Sequence, residues 1–348
     1  MESKIIDKRY RYSGIKNYVK MSKESLSSRD NFIRQNCREN VLEKQNCYVC
    51  KNTSFDIINE VDRYGFYYPT GICGKCGNVQ QSEYYKTDVI IDFYSNYYRK
   101  IYGEYDPKEF YLIQRLKKGP RIFNFVKDII KPKKVLDVGC GAGGIISVFK
   151  DKGCEVLGID FDEKFLECAK NFKIPVLRGS INQLDENKKF DLIILNHVLE
   201  HIVYPVEFLE KVLKYLNPNG ILYIEVPSLE HVRNGGYKYD LLLYWQNAHT
   251  IHFNNQTLAL VCKRAGLEAV KKTSFIHSCW VLSNSDKKLS DTEKQKSLAY
   301  TKNLILSIER NRKNWFCIFK NFLLNNLKKL LDIFGLKKLF RKLYKKLI

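Results

Sequence analysis

The chain has 348 residues, 45% of them hydrophobic, and a formal net charge of +21. This content suffices for a full buried core with residues to spare for appendages. No apolar run approaches the roughly 18 residues of a membrane span, and the first residues are polar and basic, which argues against a spanning helix and a secretion signal. We therefore expect a cytoplasmic protein whose eleven cysteines are reduced.

Residues 1–46 form a polar N-terminal segment for which we expect helical or irregular structure. Residues 47–107 hold two Cys-x2-Cys pairs separated by 22 residues, followed by an aromatic linker. Four thiolates at this spacing suit one tetrahedral Zn²⁺ with no open position, so the pattern predicts a structural zinc site. The alternative is four buried or free cysteines. The predicted ligands are Cys47, Cys50, Cys73 and Cys76.

Residues 108–285 alternate short apolar strands with amphipathic helices, after a helix over 110–130 that we expect to break near Gly119-Pro120. The predicted strands are 134–138, 155–160, 175–177, 191–195, 220–226 and two more within 267–284, and the predicted helices are 144–152, 163–171, 206–216 and 255–265. Such alternation is typical of a Rossmann-like α/β fold, with a mostly parallel seven-stranded sheet and helices on both faces.

Residues 286–348 are predicted to form a polar linker and a basic helical tail. From Arg310 onward the tail has twelve lysines and arginines and one acid, so it carries +11 of the net +21. Leucines and phenylalanines recur at helical spacing over 327–348, which fits peripheral contact with an anionic membrane at its cytoplasmic face. Packing of this helix on the catalytic domain is the alternative.

Glycines mark the exit of the first predicted strand, in Val-Leu-Asp-Val-Gly-Cys-Gly-Ala-Gly-Gly over 135–144. A close approach of the backbone to a ligand needs such residues. Asp160 ends the next strand, 19 residues after Gly141, where a carboxylate can accept ribose hydroxyls. The glycines alone also satisfy the dinucleotide fingerprint, so by themselves they do not identify the ligand.

Taken in order, these segments resemble the motifs of class I S-adenosylmethionine-dependent methyltransferases. KVLDVGCGAGG resembles their first motif, VLGIDFDEKFLECAK the second, and FDLIILNHVLEHI and LNPNGILYIEVPS those of the fourth and fifth strands. The resemblance implies S-adenosylmethionine as cofactor. It implies cofactor contacts from Asp137, Gly139, Gly141, Gly143, Asp160, Phe161, Ser180 and Asn196.

The candidate general bases are histidines at the carboxyl edge of the predicted sheet, where open α/β sheets bind ligands. His201 and His249 are the predicted catalytic residues, and His197, Glu200 and His252 lie on the same segments. A structural role is the alternative for each of them.

Two branches of the family bear on the acceptor. Sugar C-methyltransferases combine a zinc unit with a Tyr-His-Glu-His run, of which only His249 is kept here, and quinone-type O-methyltransferases have a Glu-x2-Glu-His metal motif, matched only by Glu200 and His201. We expect O-methylation of a small or glycan- or lipid-linked acceptor, in saccharide or secondary-metabolite biosynthesis, rather than of a nucleic acid. The alternatives are an rRNA or tRNA methyltransferase, whose zinc module and tail would bind RNA, and a non-catalytic scaffold.

Overall fold

The computed structural model describes residues 7–36, 41–103, 105–273 and 277–317, together with residues 319, 323 and 326. The segment 327–348, for which the sequence predicts membrane contact, lies outside the described residues. Within the described part, no helix combines the length and the apolar character that crossing a bilayer requires.

The N-terminal part combines helices with short antiparallel strands. Helix α1 (Lys23–Gln35) begins after Ser22, whose side chain accepts a hydrogen bond from the Ser25 N–H. The strands are β1 (Leu42–Lys44), β2 (Phe55–Val61), β3 (Tyr67–Cys73), β4 (Val79–Gln81) and β5 (Glu83–Tyr85). β1 pairs with β5, and β2, β3 and β4 form a meander. Helices α2 (Thr87–Asp92) and α3 (Tyr98–Tyr102), joined by a π-helical turn over Phe93–Tyr97, then close an aromatic cluster with α1.

The helix predicted over 110–130 differs from expectation. It consists of α4 (Pro107–Ile113), a π-helical turn over Gln114–Lys118 and α5 (Gly119–Val126). Gly119-Pro120 therefore begins α5 instead of breaking a helix. Proline lacks the N–H that a helix interior requires, and the wider turn just before it fits that missing donor.

The central domain has the predicted architecture. Its elements are β6 (Lys134–Val138), α6 (Gly144–Asp151), β7 (Glu155–Asp160), α7 (Glu163–Asn171), β8 (Val176–Arg178), β9 (Phe190–Asn196), α8 (Pro205–Leu213), β10 (Leu216–Glu225), α9 (Leu229–Arg233), α10 (Leu241–Tyr244), β11 (Ile251–His252), α11 (Asn255–Ala265), β12 (Leu267–Lys272) and β13 (His277–Leu282). Seven of these strands form one sheet in the order β12-β13-β10-β9-β6-β7-β8. β13 runs antiparallel to both of its neighbours, and the other pairs are parallel.

Both faces of this sheet are buried under helices. Along β9, Leu192 and Ile194 pack in one hydrophobic cluster with α5, α6 and α7, whereas Ile193 and Leu195 pack in another with α8 and α11. Successive strand residues point to opposite faces, which explains why these strands are continuous apolar runs. The chain leaves β6 toward β7 on one side and returns to β9 on the other. The carboxyl ends of β6 and β9 therefore form the switch point at which such sheets bind ligands.

Two segments outside the sheet link the central domain to the N-terminal part. β11 pairs with β4, which extends the meander to the order β11-β4-β3-β2. Helix α12 (Asp291–Lys313) begins inside the segment predicted to be a linker. Ser290 and Glu293 form a capping box at its start, a signal that the polar composition of the segment obscured.

Candidate functional site

The glycine-rich turn between β6 and α6 adopts a left-handed backbone at Gly139, Gly141 and Gly143, with φ of +74°, +54° and +73°. A Cβ on Gly139 would lie 2.7 Å from Val198, and one on Gly141 would lie 2.8 Å from Phe110. Conformation and close packing on the chain itself thus both require glycine at these positions. The Gly139 N–H donates to the Ile159 carbonyl oxygen at 2.8 Å, which ties the turn to the end of β7.

Two acidic side chains flank this turn. The Asp160 carboxylate accepts hydrogen bonds from the Gly141 N–H at 2.8 Å and the Asp162 N–H at 3.0 Å. Asp137 is completely buried, and neither of its carboxylate oxygens has a hydrogen-bond partner among the described residues. Burial, with a smaller contribution from the charge of Asp160, raises the pKa of Asp137 well above its ordinary value. Burying two carboxylate oxygens without hydrogen-bond partners costs folding free energy, unless a ligand supplies a hydrogen-bond donor or a positive charge.

The other predicted cofactor residues lie along the same edge. Asn196 ends β9, and its side-chain oxygen accepts a hydrogen bond from the Lys118 Nζ at 3.2 Å. The Asn196 Nδ2 has no partner in the part of the chain that is described. Phe161 follows Asp160 and leaves 71% of its surface exposed. Ser180, just beyond β8, caps the 3-10 turn Ile181–Gln183. The structure therefore brings these residues together at the carboxyl ends of neighbouring strands.

A cleft of about 360 Å³ opens at the carboxyl ends of β9 and β10. It is lined by His197, Glu225, Val226, Pro227, Ser228, His231, Tyr237 and His277. The Glu225 carboxylate accepts two hydrogen bonds from Arg121, at 2.7 and 2.8 Å, and a third from the Tyr223 hydroxyl at 2.8 Å. Asn196 and Glu225 are paired in register at the ends of adjacent strands, so the cleft adjoins the predicted cofactor edge.

His197 connects this cleft to a second cluster. Its Nδ1 lies 3.1 Å from Glu200 Oε1, and its Nε2 lies 3.6 Å from Glu225 Oε1. Desolvation lowers the pKa of His197, but hydrogen bonds with the two carboxylates outweigh it and raise the pKa to about 9. His197 is therefore an imidazolium at neutral pH, with both N–H groups directed at carboxylates, and it lacks the lone pair that a general base needs.

The raised pKa of His197 predicts a pH-dependent stability. Its ordinary value is 6.5, so the stabilisation is complete below about pH 6.5 and is lost as the pH rises through about 9. Thermal melting should show a difference between wild type and His197→Gln that shrinks from pH 6.5 to pH 10. His231→Gln is the control, because burial lowers the pKa of His231 and its contribution changes only on the acid side. A wild-type–variant difference that is constant over this range would contradict the assignment.

The predicted catalytic histidines, His201 and His249, lie next to Glu200, the residue that also contacts His197. The rings of His201 and His249 are 4.9 Å apart, edge to face. His201 Nδ1 is 2.9 Å from the Ala248 carbonyl oxygen, so Nδ1 carries the proton and Nε2 can accept one. Burial lowers the pKa of His249 well below its ordinary value, which keeps its ring neutral. Glu200, His201 and His249 each offer a ligand atom, and these atoms lie within 4.8 Å of one another, so this cluster could hold a divalent cation.

The four cysteines of the N-terminal part also converge. The Sγ atoms of Cys47 and Cys76 are 3.5 Å apart, as are those of Cys50 and Cys73. Two equivalent turns present them: the Lys51 N–H donates to the Cys47 carbonyl oxygen, and the Gly77 N–H donates to that of Cys73. Gly77 has φ +75° and its counterpart Lys51 has φ +61°, so each turn places a left-handed residue directly after its second cysteine.

Sequence reasoning missed several residues in and around the cleft. His277, which lines the cleft, begins β13. Arg121 of α5 and Lys118 of the preceding π-helical turn hydrogen-bond to Glu225 and Asn196, and both lie far from the motifs in the sequence. In the sequence, Glu225 stands out only as part of a fifth-strand motif. The available signal was a charged residue ending an otherwise apolar strand, which at a carboxyl edge marks a functional position.

The comparisons with known proteins agree with this geometry. Residues 111–272 match the family model described as a methyltransferase domain. The ubiquinone biosynthesis O-methyltransferase of Rickettsia bellii is 30% identical over 120 residues, which cover 33% of this chain and 47% of that protein. The corresponding protein of Rickettsia canadensis is 33% identical over 110 residues, 30% of this chain and 46% of that protein. The matches thus span less than half the length of these relatives.

Solved structures give the same kind of similarity. The plantazolicin methyltransferase BpumL, in complex with a monoazolic desmethylPZN analog and SAH, is 20% identical, with a TM-score of 0.42 over 63% of this chain and 87% of that chain. A SAM-dependent methyltransferase from Archaeoglobus fulgidus is 20% identical, with a TM-score of 0.38 over 61% and 93%. The motifs, the sheet order and the family match together assign the central domain: residues 111–272 belong to the methyltransferase-domain family, of the class I S-adenosylmethionine-dependent type.

Proposed function

We propose that the chain is an S-adenosylmethionine-dependent methyltransferase that methylates an oxygen of a small or glycan- or lipid-linked acceptor, in saccharide or secondary-metabolite biosynthesis. The observation that carries this proposal is Asp137, whose two buried carboxylate oxygens lack partners among the described residues beside the glycine turn. The cofactor has a positively charged amino group that suits this carboxylate. Asp160, at the end of the neighbouring strand, is the proposed acceptor for the ribose hydroxyls.

The cleft beside Asn196 supports a small acceptor. Its wall includes apolar side chains, Val226 and Pro227, next to the hydrogen-bonded set around Glu225. S-adenosylmethionine supplies the electrophilic methyl group when it is bound. Within the chain, His197 balances the charges of Glu200 and Glu225. His201 is the proposed general base because its Nδ1–H donates to the Ala248 carbonyl oxygen, which leaves the lone pair of Nε2, 4.0 Å from Glu200 Oε1, to accept the proton of a hydroxyl.

We also propose that the four cysteines hold Zn²⁺. Tetrahedral Zn²⁺ with bonds of about 2.3 Å places its sulfur ligands about 3.8 Å apart, and the two sulfur distances of 3.5 Å are close to this value. Membrane contact through residues 327–348 stays a prediction. Trp315 and Phe316, which precede that segment along the chain and are exposed by 72% and 66%, support it.

Acceptor chemistry is tested by incubating the protein with methyl-labelled S-adenosylmethionine and three probes: 3,4-dihydroxybenzoate, a nucleotide-linked hexose and total tRNA. We expect label in one of the first two, at an oxygen, and the position of the methyl group is read by mass spectrometry and NMR. Label in tRNA that disappears when residues 310–348 are removed would favour the RNA alternative instead. A wild-type chain that does not bind S-adenosylmethionine would overturn the proposal.

A further inference from the structure

Side chains of the N-terminal part form hydrogen bonds with the backbone of residues 247–249, which we call the His249 segment. The Tyr68 hydroxyl donates to the His249 carbonyl oxygen at 2.6 Å. The Gln81 Nε2 donates to the carbonyl oxygens of Asn247 and His249, both at 3.1 Å. Asp62, which is fully buried, accepts the Asn247 N–H at 2.9 Å. Contacts from three points of the meander therefore fix three peptide groups of this segment.

The same strands are tied to the cysteine turns. Gln80 precedes Gln81 on β4, and its side chain accepts the Tyr48 N–H at 2.8 Å and donates to the Asn46 carbonyl oxygen at 3.2 Å. Neighbouring residues of a strand point to opposite sides. One side of β4 thus fastens the first cysteine turn, and the other fastens the His249 segment. β3, which carries Tyr68, ends at Cys73.

This segment in turn orients His201. The Ala248 carbonyl oxygen accepts the His201 Nδ1–H at 2.9 Å and the Tyr94 hydroxyl at 3.2 Å. A shift of the peptide groups at Ala248 and His249 would therefore rotate the His201 ring and change the direction of its Nε2. Catalytic side chains need such supporting contacts to stay in productive geometry.

We infer that Tyr68 and Gln81 are positioning residues, through which the four-cysteine module fixes the His249 segment and so orients His201. The inference assigns the module a role in the reaction in addition to its own folding. The expected loss of kcat rests on the proposed function, whereas the expected change in the surroundings of His201 and His249 can be measured without turnover.

The test compares Tyr68→Phe with Tyr48→Phe in the full-length, zinc-containing protein. Tyr48 is a matched control: it is a buried tyrosine of the same module, and its hydroxyl has no hydrogen-bond partner among the described residues. The chain has six histidines, so histidine-selective ¹⁵N labelling gives a readable imidazole spectrum in the presence of S-adenosylhomocysteine. His252 also contacts the Tyr68 hydroxyl and is left out of the comparison.

We expect the imidazole signals of His201 and His249 to move in Tyr68→Phe, those of His231 and His277 to stay, and Tyr48→Phe to match wild type. Gln81→Met is the second variant, because Gln81 could hold the His249 carbonyl when the Tyr68 hydroxyl is absent. With any acceptor that turns over, kcat should fall roughly tenfold or more while the KM for S-adenosylmethionine is unchanged. Signals of His201 and His249 that coincide with wild type in both variants and in the double variant would overturn the inference, whereas a wild-type protein without turnover would count against the proposed function only.

Discussion

Replacement of Asp160 by alanine is expected to weaken S-adenosylmethionine binding by at least about 100-fold. Two hydrogen bonds from ribose hydroxyls to a carboxylate contribute about 1.5–3 kcal/mol each, and about 2.7 kcal/mol already corresponds to 100-fold. The variant also leaves the Gly141 and Asp162 N–H groups without their acceptor, which loosens the glycine turn itself. Isothermal titration calorimetry measures the affinity directly.

Glu155→Ala is the control for this experiment. Glu155 begins the strand that Asp160 ends, and its side chain is 72% exposed at the opposite edge of the sheet. Its removal should leave the affinity unchanged. Asp160→Asn should fall between alanine and wild type, since the amide oxygen accepts hydrogen bonds without the charge. Equal affinity in Asp160→Ala and wild type would contradict the assignment of Asp160 to the ribose hydroxyls of S-adenosylmethionine.

The second large effect is expected from Cys73→Ser. Structural Zn²⁺ contributes roughly 10–16 kcal/mol to the folding of small zinc domains, so loss of one of four ligands should release the ion and destabilise the module. We expect about one zinc per wild-type chain and close to none in the variant, by elemental analysis of dialysed protein. Thermal melting should show an earlier transition for the N-terminal part.

Cys168→Ser serves as the comparison, because Cys168 is partly buried in α7 and lies outside the four-cysteine cluster. It should retain both the zinc and the melting temperature of wild type. The zinc assignment fails if purified wild-type protein contains no metal, or if Cys73→Ser keeps it.

Local patterns predicted much of the central domain. Four elements have the predicted bounds: β6, β7, α7 and α11. Their signals, the spacing of apolar residues and the helix caps, lie within each segment itself. The helix predicted over 206–216 extends too far, to the residue at which β10 begins. Leu213, Tyr215 and Leu216 continue a helical apolar spacing, yet α8 ends at Leu213 and Leu216 already pairs with Phe190 of β9. Pairing with a neighbouring strand decided this boundary, and that contact lies outside any local window.

Residues of the candidate site could be predicted only where they lie within a recognisable sequence motif. Asp137, the glycines and Asp160 follow from two short segments, and the structure places them together. The set around Glu225 joins Arg121, His197 and His277, which come from a helix and the ends of two other strands. No spacing in the sequence relates these residues. Their association depends on β13 being inserted antiparallel beside β10.

The pairing of β11 with β4 has a consequence for biosynthesis. Val79 and Gln80 are translated long before His252 and Ile251, their partners. Until those residues leave the ribosome, one edge of the meander displays unpaired backbone groups, and open edges invite pairing with other nascent chains. Expression of residues 1–107 alone should therefore give an aggregation-prone fragment. In a circularly permuted gene that begins directly after β10 and ends with β10, β11 is translated before β4, so the edge of β4 should stay unpaired for a shorter time.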